Sequence, residues 1–501
     1  MANDFGDDDL EHKTNVGPPP ARPAQNVARP PPRPGGPGPG QAPRPQQQSM
    51  MRPAPRPTGE APAMRPRGSA PRPMPSDAAR RFWPHAPRTQ QETGLSATYI
   101  EELCCKHLFQ AGELRASDLA QRAALPNNIV EESLERLRRG KLCDIKGSGG
   151  AGIGRSAMIY ILTEAGHSYT KMSMERDRYI GPAPVPFTEY VESVSAQTIR
   201  GNRLTRPEIE PHFKGLVIKD EVYEAIGPAM NSGKALFFYG PPGNGKTAVC
   251  ARMTNCFGGD VFIPHAIIVD DFVVKVFDAT VHIPIDEAEE NHDARWVRCR
   301  RPMVVVGGEL MLEQLDLAYS PEVKYYEAPF QMKANCGMLL VDDFGRQKVS
   351  PKDLLNRWIV PLESEYDFLT LHTGKKLKVP FDVFVTFSTN LDPSELVDAA
   401  FLRRVRYKLE VSRPDELQYR EIFQGEAKKK NVYFEPQDID YLVKKHYVEA
   451  KRPFNACEPR DLLGQVIDLC AYMGIEPQLT QPIIDKVIAS YFVRFDQPKK
   501  W

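Results

Sequence analysis

The chain lacks any Cys-x-x-Cys pair. Its nine cysteines, at 104, 105, 143, 250, 256, 299, 336, 457 and 470, are scattered and odd in number. That pattern excludes a dense disulfide scaffold and fits reduced thiols in a cytoplasm. A run of about 18 uninterrupted apolar residues, the length that spans a bilayer, is also missing. The most apolar stretch, 261–285, is broken by Asp270, Asp271, Lys275 and Asp278. The opening MANDFGDDDL is acidic where a secretory leader is basic, and no apolar core follows it. The expectation is a soluble cytoplasmic protein with no membrane partner. Net charge is absent as well, with Lys+Arg and Asp+Glu both 65, so whole-chain charge names no partner.

That neutrality hides segregation. Residues 1–11 carry five acids and no base, whereas 12–90 carry Lys13 and twelve arginines against only Glu60 and Asp77. Residues 1–90 also hold 22 of the 47 prolines. A segment so poor in aliphatics buries too little apolar area to offset its ordering entropy. Residues 1–93 are therefore expected to be a disordered Pro/Arg-rich tail with polyproline II character, and removal of 1–90 to leave folding unchanged. At 501 residues, two to four domains are expected at roughly 100–200 residues each.

From Leu95 the pattern turns helical: ATYIEELCCKHLFQAG, ELRASDLAQRAAL, and PNNIVEESLERLRRGKL with Asn127 or Asn128 as a cap. Two strands follow, LCDIKG and AMIYILT, joined by GSGGAGIGRS. Three helices and a glycine-tipped hairpin resemble the winged helix–turn–helix over 94–180. Gly147, Gly149 and Gly152 match GxGxxG, but that fingerprint needs a strand before it and a helix after it, and here a strand follows. The third helix opens with Glu131, Glu132 and Glu135, and its bases Arg136, Arg138, Arg139 and Lys141 come late. A reading helix presents its first residues to base edges, so protein contact or oligomer packing is at least as good a reading as DNA binding.

A Pro-punctuated stretch, 181–212, reads as a linker. Beyond it ALFFY, GMLLVDD and VFVTFST alternate with helical segments, which argues for a three-layer α/β domain on a largely parallel sheet over 213–411. Residues 412–501 read as helical only. Gly240-Pro241-Pro242-Gly243-Asn244-Gly245-Lys246-Thr247 fits GxxxxGK[ST] between a strand and a helix. Glycines let backbone N–H groups surround phosphate oxygens, and the helix N-terminus adds positive potential. Lys246 then serves the β/γ-phosphates and Thr247 a Mg²⁺ ion. Further on, four apolar residues deliver Asp342 and Asp343 to a sheet edge beside the nucleotide. Asp342 would hold the metal's water shell and Asp343 would polarise the attacking water.

These motifs resemble AAA+ ATPases over roughly 213–495: a P-loop domain with a helical lid, using ATP and Mg²⁺. The resemblance implies that Asn390, ending VTFSTN, is a polar sensor. It implies that Arg403 or Arg404 in AAFLRRVRYKLEV is an arginine finger for a neighbouring subunit, and that Arg460 in Glu458-Pro459-Arg460 contacts the bound nucleotide. Gly215–Ile218 lies where the family packs adenine. Asp343 stands where many members have Glu, one methylene longer. A hairpin turning at Thr373-Gly374-Lys375-Lys376, with a long insert before GMLLVDD, resembles MoxR-type and enhancer-binding activator ATPases. That insert, between Arg301 and Phe330, sets Gly307-Gly308 beside Leu310, Met311 and Leu312 and three tyrosines, Tyr319, Tyr325 and Tyr326. It reads either as a substrate-gripping loop or as a packed structural insert. The resulting expectation is a homo-oligomeric, hexameric ring ATPase that remodels a protein or protein complex. The alternatives are a DNA-linked regulator or loader, and a nucleotide-gated scaffold that hydrolyses poorly.

Overall fold

The computed structural model describes residues 82–148, 157–201, 203–285, 292–396 and 402–492, all within the compact unit Met74–Trp501. Its centre is a parallel sheet of β1 (Leu236–Tyr239), β2 (Met303–Val306), β3 (Gly337–Val341), β4 (Val383–Ser388) and β5 (Tyr407–Glu410), in the order β2-β3-β4-β1-β5. β3 and β4 are buried at every position; β3 accordingly reads as an unbroken apolar run, whereas β4 keeps Thr386 and Ser388 among its apolar residues. One face sets Phe237, Leu339, Val385 and Phe387 against Leu354, Leu355 and Trp358 of helix Pro351–Ser364. The other sets Leu236, Phe238, Leu340 and Phe384 against Val249, Cys250 and Met253 of helix Lys246–Cys256. The result is a three-layer α/β core. Helix Pro351–Ser364 starts where Ser350 accepts from Asp353 N and proline occupies the first turn.

The segment expected as an insert contributes β2 to this core. Leu310 and Leu315 are fully buried in the same cluster, and Tyr326 is fully buried in a neighbouring one. The packed reading of 301–330 therefore describes these residues, while Met311 remains exposed. A second sheet orders Ala318–Ser320, Tyr325–Glu327, Phe272–Lys275, Ala266–Val269 and Val185–Pro186. The expected hairpin forms from Tyr366–Thr370 and Lys376–Pro380. Its tip is pinned to that sheet: Tyr326 OH bonds His372 Nδ1 and accepts from His372 N at 2.9 Å. Lys375 at the turn pairs with Asp270 of its own chain at 2.6 Å.

Upstream lie helices Ala97–Ala111, Ala116–Ala123 and Asn127–Arg139, with an antiparallel sheet of Glu113–Arg115, Met158–Leu162 and Cys143–Ser148. Glu-Leu-Arg, read as the start of the second helix, is thus a strand. The cap of the third helix is Pro126, and Asn128 instead donates to Arg88 O at 2.8 Å. Gly147 lies inside a strand, and Gly149 and Gly152 fall outside the described residues. Ala266 and Val273 of the second sheet belong to this unit's apolar core. Within 181–212, Val185–Pro186 is a strand and Phe187–Ala196 a helix. Just beyond that helix, Thr198 Oγ1 and Ile199 N hold Asp382 at 2.7 and 2.9 Å.

Residues 82–93, read as the end of the tail, are packed. Phe82 and Trp83 meet Phe262 edge-on at 6.3 and 5.1 Å, and Phe82 also meets Trp296 at 5.4 Å. Arg295, only 2% exposed, donates to Thr93 O at 2.7 Å and pairs with Asp293 at 2.8 Å. The tail reading took in these two aromatic side chains because they follow an arginine- and proline-rich run. Deleting 1–81 should leave the melting temperature within about 1 °C, whereas deleting 1–90 should lower it by roughly 5 °C or more, since two packed aromatics are lost. Thermal melts of both truncations check this; equal melts would contradict the packing.

Candidate functional site

The loop 240–245 links β1 to helix Lys246–Cys256 at the carboxyl end of β1, which lies between β4 and β5, two strands consecutive in the sheet's chain order but on opposite sides of it. Such a switch point leaves a crevice in an open parallel sheet. Gly240, Gly243 and Gly245 have φ of 127°, 76° and 84°, conformations that side chains resist. At two of them space is short too. A Cβ on Gly240 would come within 2.6 Å of Val411 O, and one on Gly243 within 2.5 Å of Cys457 Sγ.

Lys246 is buried, and its Nζ donates to Gly240 O, Pro241 O and Asn390 Oδ1 at 2.8, 3.0 and 2.7 Å. Burial pulls its ammonium below the usual lysine range, while Asp342 and Asp343 oppose that shift. Thr247 Oγ1 donates to Asp342 Oδ2 at 2.8 Å. Asp343 N donates to Asp342 Oδ1 at 3.0 Å, and Asn390 Nδ2 reaches Asp343 Oδ1 at 3.3 Å. Asp343 adopts φ +49°, a left-handed backbone that costs energy outside glycine and is found at working sites. Gln347, which sequence reasoning passed over, fixes this corner by donating to Asp342 O at 2.7 Å.

These groups open onto a cavity of about 730 Å³, within the range of small-molecule sites. Gly215, Leu216, Val217 and Ile218 form one wall and residues 242–249 the floor, with Asp342, Asp343, Ser388 and Asn390 at one end. The far wall comes from helices Glu416–Lys429 and Glu458–Met473 through Ile422, Gly425, Glu426, Lys429, Cys457 and Arg460. The turn leading into the second of these helices docks on the loop itself: Cys457 N donates to Gly243 O at 2.8 Å, and Ala456 N to Asn244 Oδ1 at 3.2 Å. Arg460 lines the cavity while paired with Asp461 at 2.9 Å. Arg403 and Arg404 do not line it. They sit in the turn before β5, where Arg404 pairs with Glu363 at 2.6 Å. Ile422, Gly425 and Lys429 were not singled out from sequence, since only a helical period marks them.

The donor set suits a magnesium nucleotide. Thr247 and Asp342 offer two adjacent oxygens, and Mg²⁺ takes few protein ligands, filling its shell with water and phosphate. Among the described residues no group of three His, Cys, Asp or Glu is placed to hold a metal alone. Nor is any helix among them long and apolar enough to cross a membrane. All nine cysteines are free thiols.

A family model described as a domain of unknown function, DUF8689, matches residues 415–490, the helical segment over the cavity. No curated protein matches the chain. Among solved structures, the chain is similar to NtrX from Brucella abortus at 15% identity, covering 59% of this chain and 60% of that one, with TM-score 0.36. NtrX in complex with ADP gives 14%, 58%, 59% and 0.35 in the same order. A RuvB variant from Thermotoga maritima gives 14%, 55%, 68% and 0.32. The match thus spans about three-fifths of the NtrX chain.

Proposed function

We propose that the chain is an AAA+ ATPase that binds Mg-ATP in this cavity, works in the cytoplasm as a homo-oligomeric, hexameric ring, and spends hydrolysis on remodelling a protein or protein complex. The observation that carries this reading is the convergence of Lys246, Thr247, Asp342 and Asn390 at the crossing point of a parallel sheet. In this reading 213–411 is the ATPase domain, 412–501 its lid and 94–180 a winged-helix unit. Lys246 neutralises the β/γ-phosphates, Thr247 and Asp342 hold the Mg²⁺ shell, and Asn390 and Asp343 orient the attacking water. Arg460 reaches the phosphates from the lid, and Arg403 or Arg404 serves the next subunit.

A nucleic-acid role for the helix Asn127–Arg139 is disfavoured by its own ion pairs. Arg136 bonds Glu101 and Glu132 at 2.6 and 2.7 Å, and Arg138 and Arg139 both lie 3.5 Å from Glu135. A basic face already matched by carboxylates attracts phosphates weakly.

Asp343→Asn tests the reading. The variant should bind Mg-ATP within a few-fold of the parent but turn over about 10²-fold or more slowly, since the water loses its carboxylate. The stalled complex should then retain the remodelled partner in a pull-down with ATP. Turnover at the parent rate would show that Asp343 does not activate water.

A further inference from the structure

Strand β4 carries a polar stripe on one face. Thr386 and Ser388 follow the two-residue period of a strand, with Asn390 two residues beyond its end, and Phe384, on the same face, packs with Val249, Cys250 and Met253 of the helix that follows the phosphate loop. Thr386 and Ser388 are 0% and 1% exposed, and neither hydroxyl has a hydrogen-bond partner. A buried, unmatched hydroxyl is costly and uncommon in a folded chain.

The two differ in what they border. Thr386 lies opposite Leu340 and Leu236, inside the apolar layer. Ser388 lies opposite Phe238, one residue before the loop-bearing end of β1. The pairing of Val341 with Phe387 brings Asp342 level with Ser388 on the other side. Ser388 lines the cavity together with Lys246, Asp342 and Asn390, and Thr386 does not. Its neighbours there already have partners: Lys246 engages two loop carbonyls and Asn390, and Asp342 engages Thr247.

We infer that Ser388 is a further phosphate-binding residue, whose Oγ–H donates to the terminal phosphate of a bound nucleoside triphosphate. The inference rests on the nucleotide reading above. It adds a source of discrimination: a diphosphate lacks the group that Ser388 would meet, so its loss should weaken triphosphate binding selectively. Thr386, equally buried and equally unmatched, is the internal control, because it faces no ligand.

The test is calorimetric titration of the full chain with a non-hydrolysable Mg-ATP analogue and with Mg-ADP, alongside thermal melts without nucleotide. Ser388→Ala should lose about tenfold in affinity for the triphosphate, the worth of one hydrogen bond to a charged group, with ADP affinity within about twofold of the parent. Its nucleotide-free melt should not fall, since removing an unmatched hydroxyl removes a cost. Thr386→Ala should leave both affinities alone, and Ser388→Thr, which keeps the hydroxyl, should keep the parent's preference. An unchanged ratio of triphosphate to diphosphate affinity in Ser388→Ala would overturn the assignment, as would an equal loss of both. A parent chain that binds neither nucleotide would instead sink the nucleotide reading itself.

Discussion

Lys246→Ala should weaken Mg-ATP binding by about 10²–10³-fold, the cost of removing one partner from a buried charge pair, and take turnover to background. Lysine acts here as a compact point charge, and alanine replaces neither the charge nor its donors. The structure adds a second consequence. Nζ also ties Gly240 O and Pro241 O to Asn390, so the loop loses its internal clasp along with its charge. A melt of the variant separates the two effects: a fold as stable as the parent that still fails to bind assigns the loss to the phosphate contact. Parent-like affinity in calorimetry would contradict the role given to Lys246.

The arginines before β5 carry the other large effect. If one of them completes a neighbour's site, Arg403→Ala or Arg404→Ala should leave ATP affinity within a few-fold while lowering turnover by about 10³–10⁵. Arg404 is engaged with Glu363 at 2.6 Å, but both side chains are substantially exposed. An exposed pair of this kind contributes only about 0–1 kcal/mol, so exchanging Glu363 for a γ-phosphate is energetically open. Steady-state turnover with light scattering checks the idea. Parent-level turnover in both variants would end the finger assignment, and a fully active monomer at all concentrations would end the ring.

Much of the site was legible because its chemistry is local in sequence. The phosphate loop needs its glycines and lysine at fixed spacing, and a fully buried strand must read as an apolar run before it delivers Asp342 and Asp343. What the sequence hid depends on long-range pairing. Phe82 and Trp83 look like part of a proline-rich tail until Phe262 and Trp296 are beside them. Leu310 and Tyr326 carry the same apolar and aromatic signal whether a loop grips a partner or fills a core, and only their burial decides. Glu-Leu-Arg at 113–115 sits amid helix formers yet pairs with Met158–Leu162. The contribution of residues 416–473 to the cavity was equally silent, since Cys457 matters only once Gly243 lies against it and Gly425 only once its helix lines the cavity.

The central claim, an ATPase built around Lys246 and Asp342, is tested most directly by phosphate release from the full chain supplied with Mg-ATP. The account predicts saturable release that disappears when Mg²⁺ is chelated and that rises more than proportionally with protein concentration as subunits complete one another's sites. No release at any concentration, together with no heat of binding for ATP or ADP, would contradict it.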